Sequence, residues 1–508
     1  MQNKKLNFVI IMTDTQNKSM VGAYGKKEVD TPNLDRLASG GIRFERAYTA
    51  SPVCTPARGS IFSGLHPQVN GAYANCIAPH SNIKMMGTIF KEIGYRVAYT
   101  GKWHLDGSFN YMGSGSPDGG FEPDWWYDGT NYLEDIGPAM AKNYGPMAHR
   151  KNADDLRKEG FTRDNIWGKR VADRAVNFLE NIKDDPFVLV ASFDEPHQPY
   201  FAPPEYWDKF SVDDIRRLAP RVEDDLASKP EIQKTMHNET YKYMFKHLMY
   251  DDIEFRTKFY GCNSYIDLEI GRVLDAVTKN HGEDTVIIYT SDHGDMLGSH
   301  GLYSKGPMMY EEICNIPFII KAPGAKSGSV SNSLVSHLDI IPTMLDMSGS
   351  KPYKSYGISS KDLVYRKNGY LLPYYDFHGR SLVPILINPD KNVRDYLMIN
   401  FNRSEIVHEM FGEFYPIRCA TDGRHKLVVN LFETDEFYDL KKDPYEVKNR
   451  IDDNTYIEVR NRMHEWLLDE MKKIADPFRS FRWGDRPWNS IAKRFYWLDE
   501  MDAGMKTK

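Results

Sequence analysis

Short apolar runs recur along the chain, and most of them stop at a cluster of polar side chains. Asn7-Phe8-Val9-Ile10-Ile11-Met12, Pro186-Phe187-Val188-Leu189-Val190-Ala191-Ser192-Phe193 and Thr285-Val286-Ile287-Ile288-Tyr289-Thr290 have the length and unbroken hydrophobicity of strands buried on both faces. Residues 95–100, rich in β-formers, and residues 314–320 read as further strands. Between them the apolar spacing changes to that of helices: Ile166, Val171, Ala175, Phe178 and Ile182 in one segment, and Ile266, Ile270, Val273, Leu274 and Val277 along one side of 259–280. Residues 88–93 form an amphipathic helix stopped by Gly94, and another helix starts near His337. Strands alternating with helices predict an α/β fold around a mostly parallel sheet.

The pattern changes after residues 378–382. Residues 417–421, 426–430 and 436–440 read as antiparallel strands joined by Asp-Gly and similar turns, followed by a helix over about 456–474. The expectation is a large α/β domain over 1–380, with insertions near 106–158 and 213–252, and a smaller α+β domain with an antiparallel sheet over 381–508. A chain of 508 residues is too long for one compact core. The first insertion is irregular and aromatic, with Trp125-Trp126-Tyr127, and is the expected seat of substrate specificity.

With 41% hydrophobic and 27% charged residues the composition is that of a folded, non-membrane protein, and no stretch approaches a membrane span. A net charge of −6 supplies no bulk basic field for nucleic acid, so an anionic ligand must be held by a local cluster. Five scattered cysteines, Cys54, Cys76, Cys262, Cys314 and Cys419, show neither zinc spacing nor a disulfide scaffold. No signal-peptide pattern precedes the first strand, and a cytoplasmic location is expected.

The candidate chemistry stands at the carboxyl ends of the strands, where open α/β sheets bind their ligands. The first run ends in Thr13-Asp14-Thr15-Gln16, the second in Gly101-Lys102-Trp103-His104, the third in Asp194-Glu195-Pro196-His197, and the fourth in Ser291-Asp292-His293-Gly294-Asp295, with His300 and Lys305 beyond. Asp292 and His293 are credible ligands of a divalent cation. Apart from these, Ser51–Gly64 contains Cys54-Thr55-Pro56-Ala57-Arg58. Pro56 suits a first helical turn, which places Cys54 at a helix N-terminus with Arg58 one turn on. That location favours an anion and is expected to lower a thiol pKa.

Cys54-Thr55-Pro56-Ala57-Arg58 resembles the C-x-P-x-R signature of the type I sulfatases, in the alkaline phosphatase-like superfamily. Thr31–Ala38 (TPNLDRLA), Gly101–His104 (GKWH), Pro196–Pro199 (PHxP), Asp292–Gly294 (DHG), Ile316–Lys321 (IPFIIK) and Asp339–Thr343 (DIIPT) are similar to family segments in the family's order. The resemblance runs from Asn7 to about Asn449. It implies a large alkaline phosphatase-like domain and the smaller C-terminal one. It also implies that a formylglycine-generating maturation enzyme oxidises Cys54, whose hydrated aldehyde attacks sulfur. Arg58, Lys102, His197 and Lys305 would grip the sulfate, with His197 or Lys305 as the acid and His104 as the base that collapses the covalent intermediate. One divalent cation, Ca2+ by expectation with Mg2+ or Mn2+ as alternatives, would be held by Asp14, Thr15, Cys54, Asp292 and His293.

One position departs from the family. Its first strand ends in two adjacent aspartates, and Thr15 stands at the second, with Gln16 a further candidate oxygen. The implied reaction is hydrolysis of a sulfate monoester on a sulfated saccharide. The alternatives are a phosphodiesterase or phosphonate monoester hydrolase of the same superfamily, and a non-catalytic sulfoglycan-binding protein.

Overall fold

All seven residues of the first strand, β1 (Asn7–Thr13), are buried, and the large sheet is built outward from it. The other strands are β2 (Ile42–Tyr48), β3 (Arg96–Gly101), β4 (Trp126–Tyr127), β5 (Phe187–Ser192), β6 (Thr285–Ser291), β7 (Phe318–Lys321) and β8 (Ser329–Ser336). Their spatial order is β4-β3-β5-β1-β6-β7-β2-β8, and only β7 runs antiparallel to its neighbours. The computed structural model describes residues 5–25, 29–107, 111–142, 152–218, 222–242, 252–350, 376–405 and 414–489. Parts of both expected insertions, and the chain beyond 489, lie outside these residues.

Alternation along β1 builds two cores at once, because successive side chains leave a strand on opposite faces. Phe8, Ile10 and Met12 pack with Ile61 and Phe62 of the helix Cys54–Ser63 and with Ile89 and Phe90 of the helix Met86–Glu92. On the other face Val9 and Ile11 meet Val171, Ala175 and Phe178 of the helix Trp167–Asn181, and Ile266, Ile270, Val273 and Val277 of the helix Asp252–His281. The apolar stripes foreseen for both helices face this core, although the second begins at Asp252 rather than near 259.

A second sheet has the order β12-β11-β10-β9, entirely antiparallel, from β9 (Leu397–Phe401), β10 (Ile417–Thr421), β11 (His425–Asn430) and β12 (Glu436–Asp439). The helix Ile457–Lys473 covers one face through Met463, Leu467, Leu468 and Met471. The opposite face, with Ile399, Phe401, Ile417 and Cys419, shares a core with Met308, Met309, Tyr310 and Ile313, just ahead of β7. The backbone of Asn400 also donates to the Ala50 carbonyl at 3.0 Å, so the second sheet is fastened beside the segment that leads to Cys54.

β2, β8 and β9 are strands that the apolar pattern did not reveal, since Arg43, Glu45 and Arg46 interrupt β2 and four serines interrupt β8. The strand expected over 314–320 begins at Phe318, because Glu311–Cys314 forms a helical turn. All five cysteines are buried and unpaired with one another. Among the described residues no helix is long and apolar enough to cross a membrane.

The end of β6 is braced by His337, whose Nε2 lies 2.9 Å from the Ser291 carbonyl, so that nitrogen carries the proton. Burial pushes this imidazole down to about 3. An unfolded chain takes up a proton there near pH 6.5 while the folded chain refuses it, so this histidine costs stability as the pH falls below that value. His337→Gln is therefore expected to lose about 2 kcal/mol less stability than the wild type between pH 6.5 and 5, measured by denaturant unfolding. Identical pH slopes for the two proteins contradict this assignment.

Candidate active site

Four neighbouring strands, β3, β5, β1 and β6, end at the same level. Gly101 and Met12 both pair with Ser192, and Thr13 pairs with Ser291. The residues that follow, Lys102, Asp194, Asp14 and Asp292, are thereby delivered to one place. Gly101 is required for this alignment: its φ is +110°, and a Cβ there would come within 1.8 Å of the Ser192 carbonyl oxygen.

At the centre is a fully buried ion cluster. Arg58 Nη2 lies 3.0 Å from Asp14 Oδ2 and its Nε 3.1 Å from Asp292 Oδ2. Its Nη1 donates to the Lys102 carbonyl at 2.6 Å and to Ser192 Oγ at 2.8 Å, so one guanidinium ties together the ends of four strands. Lys102 Nζ sits 2.8 Å from Asp14 Oδ2 and 2.8 Å from Asp194 Oδ1. Burial alone would raise the Asp14 pKa, but Lys102, Lys305 and Arg58 outweigh it and hold the carboxyl well below the usual carboxylate range. For Asp292, burial and the neighbouring Asp14 dominate and push it upward.

Cys54 is the first residue of its helix, one step after Val53. Its Sγ accepts from Lys305 Nζ at 2.7 Å and lies 3.2 Å from His293 Nε2 and 3.6 Å from Asp14 Oδ1. The expectation of a lowered thiol pKa fails here. Burial, with Asp14 next in weight, pushes the Cys54 thiol up to about 12 against the pull of Lys305 and Lys102. Desolvation of the anion exceeds what the helix end and two ammonium groups return.

The two histidines beside Cys54 have tautomers fixed by their neighbours. His293 Nδ1 is 2.8 Å from the Gly294 carbonyl, which assigns the proton to Nδ1 and turns the Nε2 lone pair toward Cys54, Asp14 and Asp292. His197 Nδ1 is likewise 2.7 Å from the Gln198 carbonyl, and its Nε2 accepts from Lys305 Nζ at 3.1 Å. Burial, with Lys102 and Lys305 for His197 and Lys305 for His293, holds both imidazoles neutral, well below their usual range. His104 is also buried and pushed downward, by burial first and then by Lys102 and Arg58. Its carbonyl accepts from Thr55 Oγ1 at 2.9 Å, and its Nε2 lies 4.0 Å from Cys76 Sγ.

The ligand atoms of Asp14, Cys54, Asp292 and His293 all lie within 4.8 Å of one another, and all four residues are buried. Two carboxylates and an imidazole lone pair oriented through its other nitrogen suit a divalent cation. Thr15 belongs to the same corner through a different contact. Its hydroxyl donates to Asp14 Oδ1 at 2.7 Å and its N–H to Asp292 Oδ1 at 3.1 Å, which holds a β-branched residue at φ 68°. Gln16 is turned away, with Nε2 bonded to Asn263 Oδ1 at 2.9 Å and Oε1 accepting from the Tyr289 hydroxyl.

Sequence reasoning did not single out Asp194, Ser192 or Tyr111. The signal for Asp194 was present, a carboxylate directly after the apolar run of β5 and three residues before His197. Tyr111 lies in the first insertion, its ring 5.3 Å from Lys102 Nζ and 6.4 Å from the His197 ring.

An α/β sheet whose strand ends gather a carboxylate–imidazole cluster and three cations around position 54 is built to hold a divalent cation beside an anion. The sulfatase family matches residues 6–350, and the C-terminal region of N-sulphoglucosamine sulphohydrolase matches 371–473. The chain is 40% identical over 495 residues to the uncharacterized sulfatase YidJ of Escherichia coli (strain K12), covering 96% of this chain and 92% of that one. It is 26% identical to a Delta 4,5-hexuronate-2-O-sulfatase of Bacteroides thetaiotaomicron, covering 94% and 91%. Among solved structures, a phosphonate monoester hydrolase of Agrobacterium radiobacter superposes with a TM-score of 0.74 at 22% identity, covering 92% of this chain and 96% of that one. The chain belongs to the sulfatase family and is a sulfuric ester hydrolase.

If the four clustered side chains hold the cation, Asp292→Asn is expected to weaken divalent-cation binding about tenfold or more in titration calorimetry while the protein stays folded. Unchanged affinity would place the cation elsewhere.

Proposed function

We propose that the chain removes sulfate from a sulfated carbohydrate through formylglycine at position 54, made from Cys54 by a maturation enzyme. The observation that carries this reading is the placement of Cys54. Its sulfur lies 2.7 Å from an ammonium and within the cation-ligand cluster, at the start of the helix that also brings Arg58 to the site. That is where a nucleophile made from this side chain meets both the cation and the anion-binding groups. As formylglycine it supplies a hydrated aldehyde whose hydroxyl attacks sulfur, and a bound divalent cation, Ca2+ by the oxygen-rich ligation, supplies positive charge beside it.

The remaining roles belong to the same proposal, and the geometry supports them. Arg58 and Lys102 are buried and Lys305 is half-buried, and the three cations cluster around Asp14 and position 54, where they would neutralise sulfate oxygens. Asp14, Asp292 and His293 hold the cation, and Thr15 orients Asp14 through its hydroxyl. Lys305 carries the proton in its contact with His197, so Lys305 is the group placed to protonate the departing alcohol, and His197 orients it. His104, whose carbonyl is bonded to Thr55 next to position 54, is assigned the base role by its place in the GKWH segment.

The hexuronate sulfatase relative supports a carbohydrate substrate. Two matched segments, 6–350 and 371–473, support a division into a catalytic domain over 1–380 and a C-terminal domain over 381–508. Thr15 motivates one second reading, a phosphonate monoester or phosphate diester as substrate, because a hydroxyl in place of a carboxylate beside the cation ligands alters the metal corner. A sulfoglycan-binding role without turnover would leave the acid and base groups unexplained.

Mass spectrometry of the peptide containing position 54 is expected to show the aldehyde in place of the thiol, and Cys54→Ala is expected to lower kcat/KM for a sulfated saccharide by about a thousandfold or more. An unmodified cysteine in fully active protein, or undiminished turnover by Cys54→Ala, overturns the reading.

A further inference from the structure

The cleft around position 54 is balanced in charge in an unexpected way. Three cations, Arg58, Lys102 and Lys305, face three carboxylates, Asp14, Asp292 and Asp194. Asp194 makes no part of the cation-ligand cluster. It comes from the end of β5, three residues before His197, and meets Lys102 as Asp14 does. Lys102 is thus gripped by two carboxylates at the same 2.8 Å distance, under the ring of Tyr111.

We propose that Asp194 is a specificity-determining residue that tunes the cleft to singly charged esters and against doubly charged ones. The inference rests on reading this cleft as the sulfate site. A sulfate monoester carries one negative charge at neutral pH, whereas a phosphate monoester carries nearly two. The geometry of the two anions is the same, so contacts to oxygen discriminate weakly and the net charge of the cleft must do the rest. A third carboxylate close to the bound anion penalises each negative charge it brings, and so penalises a dianion twice as much as a monoanion.

The ion pair has the environment this role needs. Burial pushes Asp194 upward, and the Lys102 ammonium pulls it back toward the ionised form. Lys102 itself is held well above its usual range, where Asp14 and Asp194 outweigh the effect of burial. The neighbouring carboxyl Glu195 is pushed up to about 8 by burial and by Asp194, and its Oε1 accepts from the Gly168 N–H at 2.7 Å, so it adds no further charge near neutrality. Asp194 is therefore the carboxylate of this strand end that sets the field.

A purely structural tether for Lys102 makes a different prediction, an equal loss for every anion. The test compares binding of methyl sulfate and methyl phosphate at pH 7, by calorimetry, to the cation-loaded wild type, Asp194→Asn, Asp194→Ser and Asp194→Glu, with thermal unfolding confirming that each is folded. Removing the charge is expected to shift the ratio of the two dissociation constants about tenfold or more toward methyl phosphate. Asp194→Glu is expected to keep the wild-type ratio. Equal changes for both ligands, or an unchanged ratio in the folded neutral variants, overturn the proposal. If Cys54→Ala abolishes sulfate release while the Asp194 variants leave the ratio alone, the sulfate-site reading stands and this inference falls.

Discussion

The fold converges on one guanidinium. Arg58 is fully buried, as are the two carboxylates it bridges, and each of these charges would be prohibitively expensive to bury alone. Their mutual pairing makes the arrangement tolerable and also makes it rigid, because removing any member strands the others without water. Since the partners come from β1, β6, the end of β3 and the end of β5, the ion cluster and the sheet register specify each other. The apolar cores on the two faces of β1 supply the stability that lets such a costly centre persist.

The same arrangement explains why position 54 is both central and buried. The helix that begins there enters the cluster end-on, and Lys305 and His293 close over the sulfur from loops that follow β6. Exclusion of water strengthens every electrostatic contact with a bound anion, and the same exclusion disfavours a thiolate. Preorganised cations therefore serve a substrate better than they serve the native cysteine. The second sheet contributes from behind, fastening the strand-to-helix approach to Cys54 through Asn400 and Ala50 and sharing a core with the segment ahead of β7.

Much of this was legible in the sequence, and the reasons for the remainder are specific. Apolar runs ending in Asp14, Lys102, His197 and Asp292 announce a parallel sheet and its ligand-binding edge, because period and burial leave a direct mark on residue type. β2 and β8 left none, since their charged and serine positions are met by neighbours distant in sequence. Asp194 was overlooked because its role exists only in relation to Lys102, ninety-two positions away. The thiol pKa was misjudged because a helix N-terminus is a local feature of sequence, while desolvation depends on everything packed above it. Thr15 was named with the ligands and Gln16 as a further candidate, and the contacts of the two, with Asp292 for Thr15 and with Asn263 for Gln16, depend on residues far along the chain.

The central claim is that several strand ends deliver one cation-and-anion centre to position 54. Anomalous diffraction from crystals grown with Mn2+ and soaked in sulfate tests it most directly. The account predicts an ion bound by Asp14, Asp292 and His293, with a sulfate in contact with that ion, Lys102 and Lys305. An ion bound at another place, or a sulfate that settles away from position 54, would contradict it.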